Sequence, residues 1–141
     1  MSGPRPVTTC QHWLEQFLAT HGGVSGTVHL RDGDTLTLAA AVRIPEPVLA
    51  IVRRIDKGKG MAGLAFSRNQ PVDTCNLQTD RSGDVRPGAR AVDAQAAVAL
   101  PVHDRQGEVR AVVGIAYAGE HTLSQPELAR LQRAAEALPA L

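Results

Sequence analysis

The chain has 141 residues, of which 43% are hydrophobic and 21% are charged, and a formal net charge of +1 at pH 7. This length and composition fit one globular domain with a single core. The balanced charge excludes the broad basic surface of a nucleic-acid-binding protein, and no apolar run approaches the roughly 20 residues that span a membrane.

The N-terminal residues and the cysteines predict the compartment. Residues 1–6 contain two prolines and a glycine, which predicts a disordered tail before a single domain over residues 7–141. This tail lacks the apolar segment of a signal peptide. Cys10 and Cys75 are far apart and form neither a disulfide framework nor a zinc motif. We therefore expect a reduced, cytoplasmic protein without a bound metal.

The first predicted helix follows this tail. Thr8 and Gln11 have the spacing of a capping box. Five apolar residues then recur at helical spacing and form one stripe: Cys10, Trp13, Leu14, Phe17 and Leu18. Gly22 and Gly23 end the helix. We interpret the two aromatic residues as core or dimer contacts.

A β-hairpin is predicted around Asp32-Gly33-Asp34, since alternating segments flank this turn. Four residues on each side share one parity and are expected to share one face of the sheet. They are Val24, Gly26, Val28 and Leu30 in the first strand and Leu36, Leu38, Ala40 and Val42 in the second.

The middle of the chain alternates short elements. Residues 44–55 predict a short helix with proline in its first turn. The glycine-rich residues 58–63 lead into a helix over residues 61–68, and a short strand over residues 71–75 follows. Residues 76–95 form a long polar connection, which in a compact domain is usually functional or disordered.

A second hairpin and a final helix complete the prediction. Two alternating segments, residues 97–102 and 109–117, flank a turn at residues 104–107. Pro101 removes a ladder donor and favours an edge or a bulge. Ser124 and Glu127 form a capping box for the last helix, with Leu123 and Leu128 at the positions of a hydrophobic staple.

The chain resembles a GAF domain, a small-molecule sensing module. Four segments carry this resemblance by their residues and their order: 58–63, 70–72, 98–102 and 107–116. The resemblance covers residues 7–138. It implies an α+β fold of the GAF/PAS type, with a central antiparallel sheet of five to six strands and the terminal helices on one face. Short helices and a long loop would cover a ligand pocket on the other face.

The GAF subfamilies with known chemistry match less well. Free methionine-R-sulfoxide reductases are similar in size, but Met61 stands where they have a cysteine, and residues 86–97 contain none. The cyclic-nucleotide signature is missing, Cys75 has no nearby histidine for a bilin, and the five dispersed histidines indicate no heme ligand. Small nitrate-receptor GAF proteins are closest in organisation. We therefore expect no cofactor.

Two segments are candidate sites. Gly58-x-Gly60-x-x-Gly63 resembles a dinucleotide fingerprint, but the βαβ unit is missing, and a tight turn with close packing explains the glycines. In the polar connection, arginines would clamp an anion while amides and hydroxyls orient a polar ligand. The predicted ligand-binding residues are Cys75, Asn76, Gln78, Thr79, Asp80, Arg86 and Arg90.

The polar connection also has structural interpretations. Instead of binding a ligand, its side chains would cap the backbone of their own loop. Cys75 is either a small buried hydrophobe or a redox-sensing thiol.

The sequence thus predicts a sensory domain, without catalytic residues, that binds an unknown small polar or anionic ligand. Closure of the loop over residues 76–95 would be passed through the terminal helices to a second copy in a homodimer or to a signalling protein such as a kinase. Two alternatives remain: a thiol-dependent reductase centred on Cys75, and a dimerisation module that binds no ligand.

Overall fold

The protein is an α+β fold in which helices pack on both faces of one antiparallel sheet. The computed structural model describes residues 6–74, 95–119 and 122–139. Its helices are α1 (Pro6–His21), α2 (Glu46–Val52), α3 (Gly60–Arg68) and α4 (Gln125–Ala135). Its strands are β1 (Ser25–Asp32), β2 (Thr35–Val42), β3 (Arg54–Asp56), β4 (Val72–Thr74), β5 (Ala96–His103) and β6 (Val109–Tyr117).

The sheet is built from the two predicted hairpins. Its strand order is β3-β2-β1-β6-β5-β4, and every neighbouring pair is antiparallel. The hairpins β1–β2 and β5–β6 meet through the pairing of β1 with β6, and the short strands β3 and β4 extend the two edges. The predicted sheet of five to six strands is confirmed.

The terminal helices α1 and α4 cover one side of this sheet, which we call the helix face. Large apolar side chains of the central strands pack there against both helices and form the main core. The core includes Leu14, Phe17, Leu18, Val28, Val98, Leu100, Val113, Ile115, Leu131 and Leu138. The Gln11 side chain adds hydrogen bonds to both backbone groups of Ala41, at 2.9 and 3.2 Å. The predicted position of the terminal helices is confirmed.

The helix ends agree with the sequence only in part. The helix predicted over residues 44–55 covers Glu46–Val52, because Arg54–Asp56 pairs with β2 as β3 instead. α1 ends at His21, and Gly22 takes a φ of 74° that suits glycine. α4 begins with the predicted capping box, because the Ser124 side chain accepts a hydrogen bond from the backbone of Glu127. The predicted box at Thr8 is wrong, since α1 already begins at Pro6 and Thr8 lies inside it.

The prediction of a single face for the alternate residues of β2 is also wrong. Val28 pairs with Ala40 and His29 with Leu38, so Ala39 is an extra residue in β2. Such a bulge changes the face that the following side chains occupy. Leu36 therefore lies in the core beneath α3, whereas Ala40 lies in the core of the helix face. In the first strand the predicted alternation holds for Val28 and Leu30, which pack on the helix face, whereas Val24 packs with Val48 on the cavity face.

Two strand features depend on the edges of the sheet. β3 was not predicted, because three residues are too few to show an alternating pattern. Pro101 lies in β5 beyond Ala99, the last residue that pairs with β4, and next to a register shift at Val102. The expectation of an edge or bulge position for this proline is confirmed, since β4 needs no ladder bond there.

The other side of the sheet, which we call the cavity face, is covered by α2 and α3. Phe66 of α3 packs with Leu36, Val72 and Val112 in a second, smaller core. Among the described residues, no helix is long and apolar enough to cross a membrane.

Candidate functional site

A cavity of about 620 Å³ separates the centre of the cavity face from α2 and the start of α3. The sheet side of this cavity carries small residues because the alternation of β1, β5 and β6 places them there. These residues are Ser25, Thr27, Ala97, Ala99, Gly114 and Ala116. Small side chains leave space on this face of the sheet. On the opposite face, large residues fill the corresponding volume.

The opposite side of the cavity is apolar. Val48 and Val52 of α2 and Met61 of α3 line it opposite the sheet, and Ile55 lines it from the edge strand β3. Val48 is the buried residue of α2, and Ile51 at the cavity edge is 58% exposed. α2 therefore contacts the sheet through Val48 and Val52 and leaves room beside them.

The glycine-rich segment shapes the end of the cavity near α3. Gly58 has a φ of 85°, a conformation that L side chains rarely adopt. A Cβ atom at Gly63 would lie 2.5 Å from the carbonyl oxygen of Asp56. These glycines permit a tight turn and close packing of α3 on the preceding strand, as the sequence indicated.

His29 is the most buried polar side chain of the cavity lining, with 2% of its surface exposed. Its Nε2 lies 2.8 Å from the carbonyl oxygen of Val52 in α2. A carbonyl only accepts, so Nε2 carries the hydrogen and Nδ1 carries a lone pair. Burial lowers the pKa of His29, although the hydrogen bond to Val52 acts in the opposite direction. The ring is therefore neutral at pH 7.

Two buried polar atoms of the lining lack a partner within the described part of the chain. They are Nδ1 of His29 and the Oγ atom of Ser25. Both residues belong to β1, with Thr27 between them on the same face. Both atoms have almost no accessible surface, so neighbouring protein atoms cover them and they do not open onto the cavity.

Charged residues occur only where the described cavity lining is exposed. Arg54, Asp56 and Lys59 border the space from β3 and the following turn, and all three are exposed. They can meet an ionic group at the cavity opening without the desolvation that burial of a charge requires.

A second polar cluster joins α4 to the far ends of β5 and α3. The imidazole Nδ1 of His103 lies 2.7 Å from Oε2 of Glu136, and the backbone N–H of His103 donates to Oε1 at 2.8 Å. Nε2 of the same ring lies 2.5 Å from Oδ1 of Asn69. Burial raises the pKa of Glu136, but the hydrogen bonds and charge of His103 outweigh it and leave this pKa lowered.

The residues predicted from the polar connection are not tested by this geometry. Cys75, Asn76, Gln78, Thr79, Asp80, Arg86 and Arg90 all lie outside the described residues. The described cysteine, Cys10, is buried between α1 and the helix face, and burial raises the pKa of its thiol. Within the described ranges, no group of three or more potential ligands is placed to hold a metal ion.

Sequence reasoning missed the lining residues of β1. Ser25, Thr27 and His29 occupy the polar half of an alternating strand, a pattern typical of a surface that faces water. The second hairpin did contain a signal for a cavity. The alternate residues of β5 and β6 that face the same side as Ser25, Thr27 and His29 are alanines and a glycine, which suit a buried surface that faces a space.

Comparison with known proteins identifies the fold. The sequence profile described as GAF domain matches residues 6–138. The A. aeolicus nlh2 GAF domain in an inactive state is 19% identical, with a TM-score of 0.68 over 96% of this chain and 80% of that one. The GAF domain of the Acinetobacter phosphoenolpyruvate-protein phosphotransferase is 15% identical, with a TM-score of 0.72 over 94% and 79%.

An enzyme shares the same fold. The type II free methionine-R-sulfoxide reductase from Thermoplasma acidophilum is 18% identical, with a TM-score of 0.65 and 92% of each chain covered. No curated protein matches the sequence. At these identities the structural likeness defines the fold alone, so function has to be argued from the cavity.

Proposed function

The chain belongs to the GAF domain family, and we propose that it is a cytoplasmic sensory or regulatory domain that binds a small molecule in the cavity beneath α2. The observation that carries this proposal is the space of about 620 Å³ on the cavity face. Ligand pockets of proteins commonly measure about 300–1,000 Å³ and combine apolar walls with a few polar groups. This cavity has both properties.

The polar side chains of β1 are compatible with a binding role. Ser25, Thr27 and His29 bring hydroxyl and imidazole groups to a lining that is otherwise mostly apolar. A few polar groups among apolar walls are what orient a small ligand in a pocket.

Occupancy of the cavity would act on α2 and on the sheet. α2 contributes Val48 to the core beneath it and accepts the hydrogen bond of His29 at Val52. A molecule that enters beneath this helix would favour one of its positions over others. The central strands that line the cavity also carry the core of α1 and α4 on their opposite face, which gives a route to the terminal helices.

We propose that the output is read by a second copy or by a signalling protein at the terminal helices. The exposed apolar edge expected there is not present in the described residues, where Ile51 of α2 is the exposed large hydrophobic residue. Trp13 of α1, half-buried and stacked on Phe17 at 4.9 Å, offers the main aromatic surface on this side. The homodimer stays a prediction that light scattering of the purified protein would test.

A thiol-dependent reductase is supported only by the shared fold of the Thermoplasma enzyme. Met61 occupies the cavity lining in the glycine-rich segment, where the resemblance places a cysteine in such enzymes. Cys10 is buried on the other side of the sheet. Replacing Cys75 with serine would abolish turnover of a reductase and leave the affinity of a sensor unchanged.

A thermal-shift screen tests the sensor. Nucleotides, amino acids, nitrate and other anions, and neutral metabolites would be added to the wild type and to Ala116→Leu, which narrows the cavity at its sheet side. A ligand at about 100 times its dissociation constant stabilises the folded state by roughly 2.7 kcal/mol. We expect a rise in melting temperature for the wild type and none for the variant.

The other results of the screen identify the alternatives. A rise that persists in Ala116→Leu and disappears in Arg86→Ala or Arg90→Ala would place the ligand at the polar connection, as the sequence predicted. The absence of any rise across the screen would contradict the sensor and support the dimerisation module.

A further inference from the structure

We infer, on the basis of the proposed function, that the ligand lies over Gly114 on the sheet side of the cavity and forms a hydrogen bond with the hydroxyl group of Thr27. The class of ligand that fits is an uncharged, mainly apolar molecule with one hydroxyl, carbonyl or N–H group. The sequence indicated a polar or anionic ligand at another segment, the connection after β4.

Thr27 and Gly114 are neighbours on the two central strands of the sheet. They are paired residues of β1 and β6, and both line the cavity. Val113 and Ile115, on either side of the glycine, lie in the core of the helix face, so a side chain at position 114 would point to the cavity face. Gly114 is itself partly exposed. It therefore presents bare backbone to the cavity in the middle of the sheet.

The hydroxyl oxygen of Thr27 borders the space above Gly114. A Cβ atom built at Gly114 would lie 2.9 Å from this oxygen. Apart from residues 113 and 115, the next described atom within 4 Å of that position is the backbone nitrogen of Thr27, at 3.9 Å. Thr27 is also partly exposed, in contrast to the two covered polar atoms of its neighbours in β1. Its hydroxyl is therefore within reach of a molecule in the cavity.

Packing within the described protein does not by itself require glycine at position 114. A Cβ atom at Gly63 would lie 2.5 Å from a backbone oxygen, which explains that glycine. At Gly114 the near atom is instead the hydroxyl of a side chain that has other rotamers. Glycine weakens the interior of a strand, and it often marks a place where a ligand approaches closely. A ligand over Gly114 accounts for this residue.

The surroundings of this pair favour an uncharged ligand. Val48, Val52 and Met61 line the cavity opposite the sheet, and the charged residues of the described lining are all exposed. An ion that reached the sheet would lose its hydration, which is costly unless an opposite charge replaces the water. A hydroxyl group donates or accepts, so Thr27 satisfies one polar group of either kind.

Calorimetric titration with 1-naphthol and 1-methylnaphthalene tests the inference. Both probes are uncharged and have the same rings, but only 1-naphthol carries a hydroxyl group. Thr27→Val removes the hydroxyl of Thr27 and keeps the shape of the side chain, whereas Thr27→Ser keeps the hydroxyl. We expect Thr27→Val to bind 1-naphthol about fivefold more weakly than the wild type and 1-methylnaphthalene without loss. Thr27→Ser should bind 1-naphthol as the wild type does.

Two results with Thr27→Val would overturn the inference. An equal loss for both probes would show that the side chain acts only through the shape of the cavity. An unchanged affinity for 1-naphthol would show that the ligand does not bond to this hydroxyl.

Gly114→Ala tests the position of the ligand over the sheet. Its methyl group would occupy the space beside the hydroxyl of Thr27, so we expect both probes to bind about tenfold more weakly. Gly119→Ala is the matched control, because a Cβ atom at Gly119 would meet no described atom within 4 Å and this residue does not line the cavity. Unchanged affinity of Gly114→Ala for both probes would contradict a ligand at this position.

Ala116→Leu separates the inference from the proposed function. Binding that this variant blocks, combined with unchanged binding of both probes to Thr27→Val and Gly114→Ala, would keep the cavity as a ligand site and reject the role of Thr27 and Gly114. Failure of both probes to bind wild type, or binding that persists in Ala116→Leu, would reject the apolar cavity as the site and both proposals with it.

Discussion

The helix face and the cavity face are formed by the same strands, yet they carry side chains of very different size. In β5 and β6, Leu100 and Val113 point to the helix face and are fully buried beneath the terminal helices. Ala99 and Ala116 of the same strands lie on the cavity face. The helix face is filled by these large residues, whereas the cavity face keeps a space beneath α2.

Because of this difference, one face of the sheet contributes mainly to stability and the other provides space for a ligand. Close packing of large apolar residues supplies most of the stability of a domain of this size. Small residues on the opposite face contribute less burial, and they leave a volume that a ligand can occupy. Stability and the proposed binding therefore depend on neighbouring residues that alternate along each central strand.

The largest effect on stability is expected when a large buried side chain of the helix face is truncated. Leu100→Ala should lower the free energy of unfolding by about 3 kcal/mol, because it removes buried methyl groups and leaves a hole in a filled core. Ala116 borders the cavity, so we expect the methyl groups added by Ala116→Val to be accommodated there, with an effect within about 1 kcal/mol. Denaturant unfolding of both variants measures the contrast. Similar losses for the two would show that the cavity face is packed as tightly as the helix face.

Much of the architecture could be predicted because it depends on local patterns. The stripe of α1, the turn at Gly33 and the capping box at Ser124 each determine an element from a few adjacent residues. The bulge at Ala39 could not be predicted, since nothing in a run of alanines shows which residue is extra. β3 is defined by its pairing with β2 and has no pattern of its own.

The candidate site was harder to predict for a physical reason. A polar residue that alternates with apolar ones has the same pattern whether it faces water or a cavity, and His29 shows this ambiguity. Only the position of α2 over the strand distinguishes the two, and that position results from tertiary contacts at Val48 and Val52. Polar residues in the long connection gave a clearer signal but lie outside the described structure.

Two serines provide a smaller test of the same contrast. Ser124→Ala removes the cap of α4 on the helix face and should lower the free energy of unfolding by about 1 kcal/mol. Ser25→Ala removes a buried hydroxyl that has no partner in the described structure, so it should leave stability unchanged or raise it slightly. Chemical denaturation of both variants without ligand gives the comparison. A loss for Ser25→Ala as large as that for Ser124→Ala would mean that its hydroxyl is hydrogen-bonded in solution.

The smallest predicted effect concerns the attachment of α4 at the edge of the helix face. The pKa of Glu136 is lowered from its ordinary value of 4.5, since the bonds to His103 outweigh the effect of burial. A carboxyl group with a lowered folded-state pKa stabilises the protein above its unfolded pKa, and this stabilisation is lost as the pH falls through the folded value.

Glu136→Gln should therefore be less stable than the wild type at pH 7 by less than about 1 kcal/mol, because the side chain is partly exposed to solvent. The difference should disappear as the pH falls below 4.5. Glu108→Gln is a suitable control, since Glu108 is 71% exposed in a 3.9 Å ion pair with Arg31, and exposed pairs of this kind contribute little to stability. Urea unfolding across this pH range measures both. A difference for Glu136→Gln that persists at low pH would indicate that the carboxylate charge does not hold α4 to the sheet, and that shape and neutral hydrogen bonds at His103 do.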